Sequence, residues 1–182
     1  KRNAELASEN GFPDILNLWL SSGLKFTYSV AAMDEASENG YVDILDCWLS
    51  SSLKHKLKYS KAAIDKASEN GHVNVLKWWL ASGLDLKYSE AAIDKASENG
   101  HVDVLEWWLA SKLVLKYSKI ALDNASRYGK VGVVKWWLSS KLELKYSSPM
   151  TYASWEGHID VLDVWLSSKL YSKDDVPTLA RL

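Results

Sequence analysis

His72, His101 and His158 recur directly after a glycine, and imidazole is both the commonest metal ligand and a general base poised near neutral pH. Each holds the same place in a repeated segment. Stacked segments set neighbouring imidazoles about 10 Å apart, far beyond the ~2 Å bonds through which ligands share one zinc ion. The fitting reading is a turn histidine bonding to nearby backbone, with no metal expected. Asp34, Asp65, Asp94 and Asp123 form a second recurrent set. A carboxylate at each place can accept from backbone N–H groups; the alternative is a ladder of calcium sites. Cys47 is the only cysteine, which excludes an intramolecular disulfide and agrees with a reducing compartment. It stands where other segments carry Trp, and reads as a half-buried, inert thiol. No phosphate loop, dinucleotide fingerprint, Cys-pair metal signature or nucleophile elbow occurs. Neither an enzyme nor a cofactor is expected.

Tryptophan is the more informative residue. Trp19, Trp48, Trp79, Trp108, Trp137 and Trp165 hold one position throughout, beside aliphatic residues at core spacing, and are expected to be core. Trp78, Trp107 and Trp136 stand one residue earlier, rotated by about 100° on a helix. Leu18, Cys47 and Val164 occupy that place elsewhere, so the site is expected to be partly exposed. Three stacked indoles would form a ridge that fills grooves between repeats, the favoured reading, or offers a partner an apolar patch.

The elements that carry these residues follow from the phrase "ASENGHVDVLEWWL" at 96–109, which returns at 7, 36 and 67 and, degraded, at 125 and 153. Its leading alanines are 29, 31, 29, 29 and 28 residues apart. A period of this size marks a solenoid, whose units bury their apolar faces only against neighbours. In the fourth unit Ser89 can cap a helix that ends at Asn99-Gly100. That helix presents Ala92, Ile93 and Ala96, small enough for a neighbour to approach closely. A second helix follows, with Val102, Leu105, Trp108 and Leu109 as its apolar stripe and Asp103 in its first turn, where the dipole favours an acid. Connectors such as "GLDLKYS" carry two apolar side chains each, Leu84 and Leu86 for instance, and are expected to pack down. The expected repeats span 1–28, 29–59, 60–88, 89–117, 118–146 and 147–170 of a single domain, 1–182, with 171–182 a cap or partial repeat.

The run "NGHVDVLEWWLASKL" resembles the second half of an ankyrin repeat, and "SPMTYA" at 148–153 is similar to the T-P-L-H-x-A opening of that family. The resemblance covers essentially the whole chain. It implies an all-α solenoid of six helix-turn-helix repeats whose concave first-helix face binds another protein. It also implies that the recurrent Asp, standing at the family's His position, ties the connector down. Two departures matter. Family units run to about 33 residues, so the connectors here are short and any finger must be reduced or absent. The Trp pair stands where the family usually has leucines.

With 47% hydrophobic and 12% aromatic residues, the chain can bury a sizeable core, and its net charge of −1 argues against nucleic acid and anionic lipid as partners. No apolar run approaches the ~18 residues of a membrane span, so an intracellular, cytoplasmic protein is expected. The chain starts at Lys1 within the pattern, as a segment of a longer polypeptide would; Lys1, Arg2 and Asn3 suit a polar cap. Lys54, His55, Lys56 and Lys58 make one connector exposed and basic. A binding site is expected where repeats stop repeating, because packing asks the same of every unit. At one first-helix face repeats five and six give Asn124, Arg127 and Tyr128, then Tyr152, Trp155 and Glu156, types that dominate interface hot spots. The function expected is a non-catalytic protein-interaction scaffold. A self-assembling structural repeat, or the targeting arm of a larger enzyme, stands as the alternative, and self-association stays open.

Overall fold

The computed structural model describes residues 3–170, which are helical with no strand among them. The helices come in pairs: α1 (Asn3–Glu9) with α2 (Pro13–Ser21), α3 (Ala31–Glu38) with α4 (Val42–Ser50), and α5 (Ala62–Glu69) with α6 (Val73–Ala81). Next come α7 (Ala91–Asn99) with α8 (Val102–Ala110), α9 (Ile120–Arg127) with α10 (Val131–Ser139), and α11 (Pro149–Trp155) with α12 (Ile159–Ser167). The cap or partial repeat expected at 171–182, and Lys1 and Arg2 of the expected polar cap, lie outside the described residues. Two compact units are formed, Lys1–Ala92 and Ile93–Leu182. In the first, α1, α3 and α5 pack in sequence, as do α2, α4 and α6. In the second, α9 packs on α11, and α10 lies between α8 and α12.

The turn inside each pair is built by its glycine. Gly40 and Gly129 adopt φ of 79° and 68°, a left-handed conformation that side chains resist. The next N–H then folds back onto the alanine of the phrase, as in Lys130 N–H to the Ala125 carbonyl at 2.8 Å. The glycine serves the stack as well. A Cβ on Gly40 would lie 3.0 Å from His72 Nδ1, and one on Gly129 2.7 Å from His158 Nδ1. The histidine expected to bond to backbone instead lays its ring over the glycine of the preceding pair, because that glycine leaves the space open.

Ala92, Ile93 and Ala96 are buried as their spacing predicts, and Ser89 caps as expected, its Oγ accepting from Ala91 N–H at 3.4 Å. The second-helix stripe is a correction. Val104, Leu105 and Trp108 are buried, whereas Leu109 is 42% exposed. The buried face is centred one residue earlier than the stripe read from sequence, since the first helices cover that side.

The core Trp does more than fill space. Trp48 donates its indole N–H to Ser8 Oγ (2.9 Å), Trp79 to Ser37 (3.0 Å), Trp137 to Ser97 (3.1 Å) and Trp165 to Ser126 (3.0 Å). Each serine belongs to the first helix of the preceding pair and is fully buried. Burying an indole N–H without an acceptor costs free energy, so the Ser of the phrase is there to receive it. Trp19 departs from the expected core set and is only half-buried; no earlier serine in this sequence stands at the matching place. Ser154, the counterpart of Ser126, is 3% exposed and its hydroxyl has no hydrogen-bond partner among the described residues.

Connectors run extended and lie against the stack. Tyr28, Tyr59 and Tyr117 stack on Trp48, Trp79 and Trp137 at 4.5, 4.8 and 4.8 Å between centroids. The lysine of the following connector covers each ring: Lys58, Lys87 and Lys145 hold their ammonium groups 5.0, 4.3 and 4.6 Å from the centroids. These contacts pack the connectors down as expected, and the basic loop forms a 3-10 turn at Lys54–Lys56 whose three residues are exposed. Burial pushes all three phenols above the ordinary tyrosine value, assisted at Tyr59 by Asp85 and at Tyr117 by Glu143. A phenol whose pKa is raised on folding contributes stability that is complete below its unfolded pKa and is lost as pH rises through the folded one. Thermal unfolding followed by circular dichroism should therefore show a constant midpoint up to about pH 10 and a falling one above it. Replacing Tyr117 by Phe should reduce that fall, and an unchanged alkaline limb would refute its phenolic origin.

Candidate functional site

Helices α9 and α11 lie side by side and bring the divergent residues of repeats five and six together. Arg127 Nε donates to Glu156 Oε1 at 3.3 Å across the two helices. The Arg127 guanidinium also lies 5.7 Å from the centroid of the Tyr128 ring. Tyr152 and Trp155 meet edge to face, their centroids 6.0 Å apart. Trp155 is 70% exposed and Tyr128 47%, unusual for such large apolar surfaces in a folded chain. Both side chains are thus held from one side and open on the other.

Asn124 is engaged within the protein. Its Nδ2 donates to Glu98 Oε2 at 2.8 Å, where Lys95 also donates at 2.8 Å. Burial alone would raise the Glu98 carboxyl, but the bonds from Lys95 and Asn124 and the Lys95 charge outweigh it and hold the group below its usual range. Asn124 is accordingly part of a tie between α7 and α9. Glu98, with Lys130 and His158, borders the same groove as Arg127, Tyr128 and Glu156. A search for irregularity misses Glu98, because Glu recurs there in the regular repeats as Glu38 and Glu69. In the first unit those positions form only a polar mesh, with Lys66 at 2.7 Å from Glu69 and 4.0 Å from Glu38.

The recurrent aspartates are fully engaged. Asp65 accepts from Ser89 N–H at 2.8 Å and from its hydroxyl at 2.5 Å; Asp94 accepts from Ser118 at 2.9 and 2.6 Å, and Asp34 from Ser60 at 2.8 and 2.5 Å. Asp123 takes the N–H groups of Ser147 (2.9 Å) and Ser148 (3.3 Å), and Glu5 accepts from Ser29 in the first unit. Each carboxylate thus ties down the connector that leads into the next pair. These bonds use the oxygens that a calcium ladder would need, and among the described residues no three His, Cys, Asp or Glu side chains converge on a metal site.

Of the second Trp set, Trp78 donates its N–H to Asp46 on the preceding helix α4 at 2.6 Å and meets Trp79 edge-on at 5.2 Å. Trp107 and Trp136 meet Trp108 and Trp137 in the same way at 5.1 Å, and all three are half-buried. Cys47 is more buried than its tolerance suggested, at 8% exposure. Burial chiefly pushes its thiol upward, with Asp46, Asp43 and Asp14 adding to the effect against a hydrogen bond from Asn17.

Solved structures share this arrangement of helices. The human ASB11 ankyrin repeat domain superposes with a TM-score of 0.73 at 17% identity, covering 95% of this chain and 86% of that one. An ankyrin repeat domain from Acinetobacter baumannii gives a TM-score of 0.64 at 18% identity, covering 92% and 98%. The sequence itself matches the family model for ankyrin repeats (many copies) over residues 64–113. The fold is that of an ankyrin-repeat domain, and residues 64–113 are similar in sequence to that family. No curated protein matches its sequence. Ankyrin-repeat domains generally mediate protein–protein interaction and are typically non-catalytic. Here the repeated units are short, with Trp-rich second helices and connectors without strands among the described residues. No described helix is long and apolar enough to cross a membrane.

Proposed function

We propose that this ankyrin-repeat chain is a non-catalytic scaffold that holds another protein on the first-helix face of α9 and α11, with Tyr128, Tyr152 and Trp155 as anchors and Arg127 and Glu156 as the polar pair beside them. The observation that carries this reading is Trp155, 70% exposed yet braced by Tyr152 on the same helix. A braced aromatic loses little freedom on binding and desolvates a large area, which is why Trp, Tyr and Arg dominate hot spots. Asn124 contributes by holding Glu98 and so fixing the floor of the groove. The single buried thiol supports a reducing, intracellular setting.

Trp155→Ala should weaken the partner complex by about 2 kcal/mol, near 30-fold in Kd, with helicity unchanged. The decisive experiment is affinity capture from lysate with the intact chain beside the Tyr128→Ala/Trp155→Ala variant, followed by titration calorimetry on the protein retained. Equal capture by the variant would refute this placement. Recovery of further copies of the chain alone would favour self-assembly. Recovery only as an arm of one longer polypeptide bearing a catalytic domain would favour the targeting reading.

A further inference from the structure

The second helices leave a vacancy that the chain fills elsewhere with its own indoles. At the position before the core Trp, Trp78 leans across onto α4, its N–H on Asp46 at 2.6 Å, so the groove between α4 and α6 is occupied. Three second helices carry a smaller residue at that position, Leu18 in α2, Cys47 in α4 and Val164 in α12, and the last two face an earlier second helix of the sequence. Open grooves run along α4 and α12; Val164 lines one, whereas Cys47 is buried and lines neither. One, about 550 Å³, runs between α2 and α4 and the residues after α4. The other, about 910 Å³, runs between α10 and α12, with Val164, Leu138, Leu144 and Leu170 as its apolar lining. That size falls in the roughly 300–1,000 Å³ range of side-chain and small-molecule pockets.

We propose that the groove between α10 and α12 receives an aromatic side chain, carried by a partner protein beside a basic residue. The aromatic part follows from the chain's own solution, since an indole is what covers the equivalent surface between α4 and α6. The basic part follows from charge. Asp160 and Asp163 line the groove with Lys135, two carboxylates against one ammonium, and none of the three forms an ion pair among the described residues. An indole N–H or a neighbouring ammonium would find an acceptor in Asp163 or Asp160 on α12, since Lys135 stands on α10 where Asp46 stands on α4. Complementary charge of this kind fixes the orientation of an anchor whose affinity comes from apolar burial. The groove lies on the second-helix side and is independent of the first-helix face proposed above.

Tryptamine, an indole with an ammonium, and indole-3-propionate, an indole with a carboxylate, are the probes. Titrated into the 15N-labelled full chain, tryptamine should shift the amides of Lys135, Val164 and Ser167 and bind several-fold more tightly than indole-3-propionate. Val164→Trp should weaken tryptamine binding by at least about tenfold, 1.4 kcal/mol, because the new indole occupies the groove. Asp163→Asn, an exposed substitution compatible with the fold, should erase the preference between the two probes. Tyr128→Ala/Trp155→Ala should leave the titration unchanged, which separates this site from the first-helix one. The proposal is overturned if neither probe shifts those amides, if Asp163→Asn keeps the full preference, or if Val164→Trp binds as the parent does. It is equally overturned if Val164→Trp, without any probe, moves the resonances of residues 171–182, because the chain's own end would then be the occupant.

Discussion

Trp137→Ala should lower the unfolding free energy by about 3–5 kcal/mol, the largest effect of any single substitution considered for this chain. The indole is 2% exposed and lies between the Tyr117 ring at 4.8 Å and the Trp136 ring at 5.1 Å. Truncation leaves a cavity bounded by rigid helices, which relax little. It also strands Ser97 Oγ, fully buried, without the indole N–H it accepts at 3.1 Å. Trp137→Phe separates the contributions: it keeps most of the volume and loses the donor, and should cost about 1–3 kcal/mol. Urea unfolding followed by circular dichroism measures both, read as a shift of midpoint at constant slope. A Phe variant as damaging as the Ala variant would show that the hydrogen bond, and not the volume, carries the position. An Ala variant losing under about 1 kcal/mol would mean that α10 collapses onto α8 and fills the space.

The second large effect is expected at Asp94. Its carboxylate accepts the Ser118 N–H and hydroxyl at 2.9 and 2.6 Å, and Ser118 Oγ in turn accepts Ile120 N–H at 3.1 Å. Asp94 is 5% exposed, so water cannot readily replace the lost oxygens. Asp94→Ala should therefore cost about 2–3 kcal/mol, as expected for two bonds to a charged acceptor lost from part-buried donors. Asp94→Asn retains one carbonyl oxygen for the Ser118 N–H and should recover about half. In a double-mutant cycle with Ser118→Ala the two positions should couple by about 1–2 kcal/mol. Additivity within error would show that the connector is held by its leucines and tyrosine instead.

The helix pairs were legible because period, glycine turns and Trp spacing point to one answer. The function of the Asp was legible only through the family resemblance, since a carboxylate on an exposed helix would read the same in isolation. Ser8, Ser37, Ser97 and Ser126 were not legible. In "ASEN" a serine beside Glu and Asn looks like helix-end polarity, and its partner, the indole N–H, lies 39 to 42 residues further on in another helix. Leu109 was misplaced for a related reason: a stripe of helical period fixes the apolar side only to within one residue, and the neighbouring first helix chooses. The candidate site was legible as irregularity in Arg127, Tyr128 and Trp155. Glu98 was not, because it is functionally distinguished only by the Asn124 it meets.

The Asp-to-Ser and Trp-to-Ser bonds all reach from one pair to an adjacent one, the former mostly across 24 residues and the latter across 39 to 42. A regular segment such as the second therefore contains one outgoing donor and one waiting acceptor of each kind: Trp48 and Ser29 donate, while Ser37 and Asp34 accept. A tandem copy of 29 residues inserted between two pairs would arrive with both halves of its joints already encoded. It would need no compensating substitution in its neighbours, so recombination between like segments can lengthen or shorten such a gene while the product still folds. Wear then accumulates segment by segment, as the altered phrases at 125 and 153 record, and new specificity can arise in one copy while its siblings keep the joints intact.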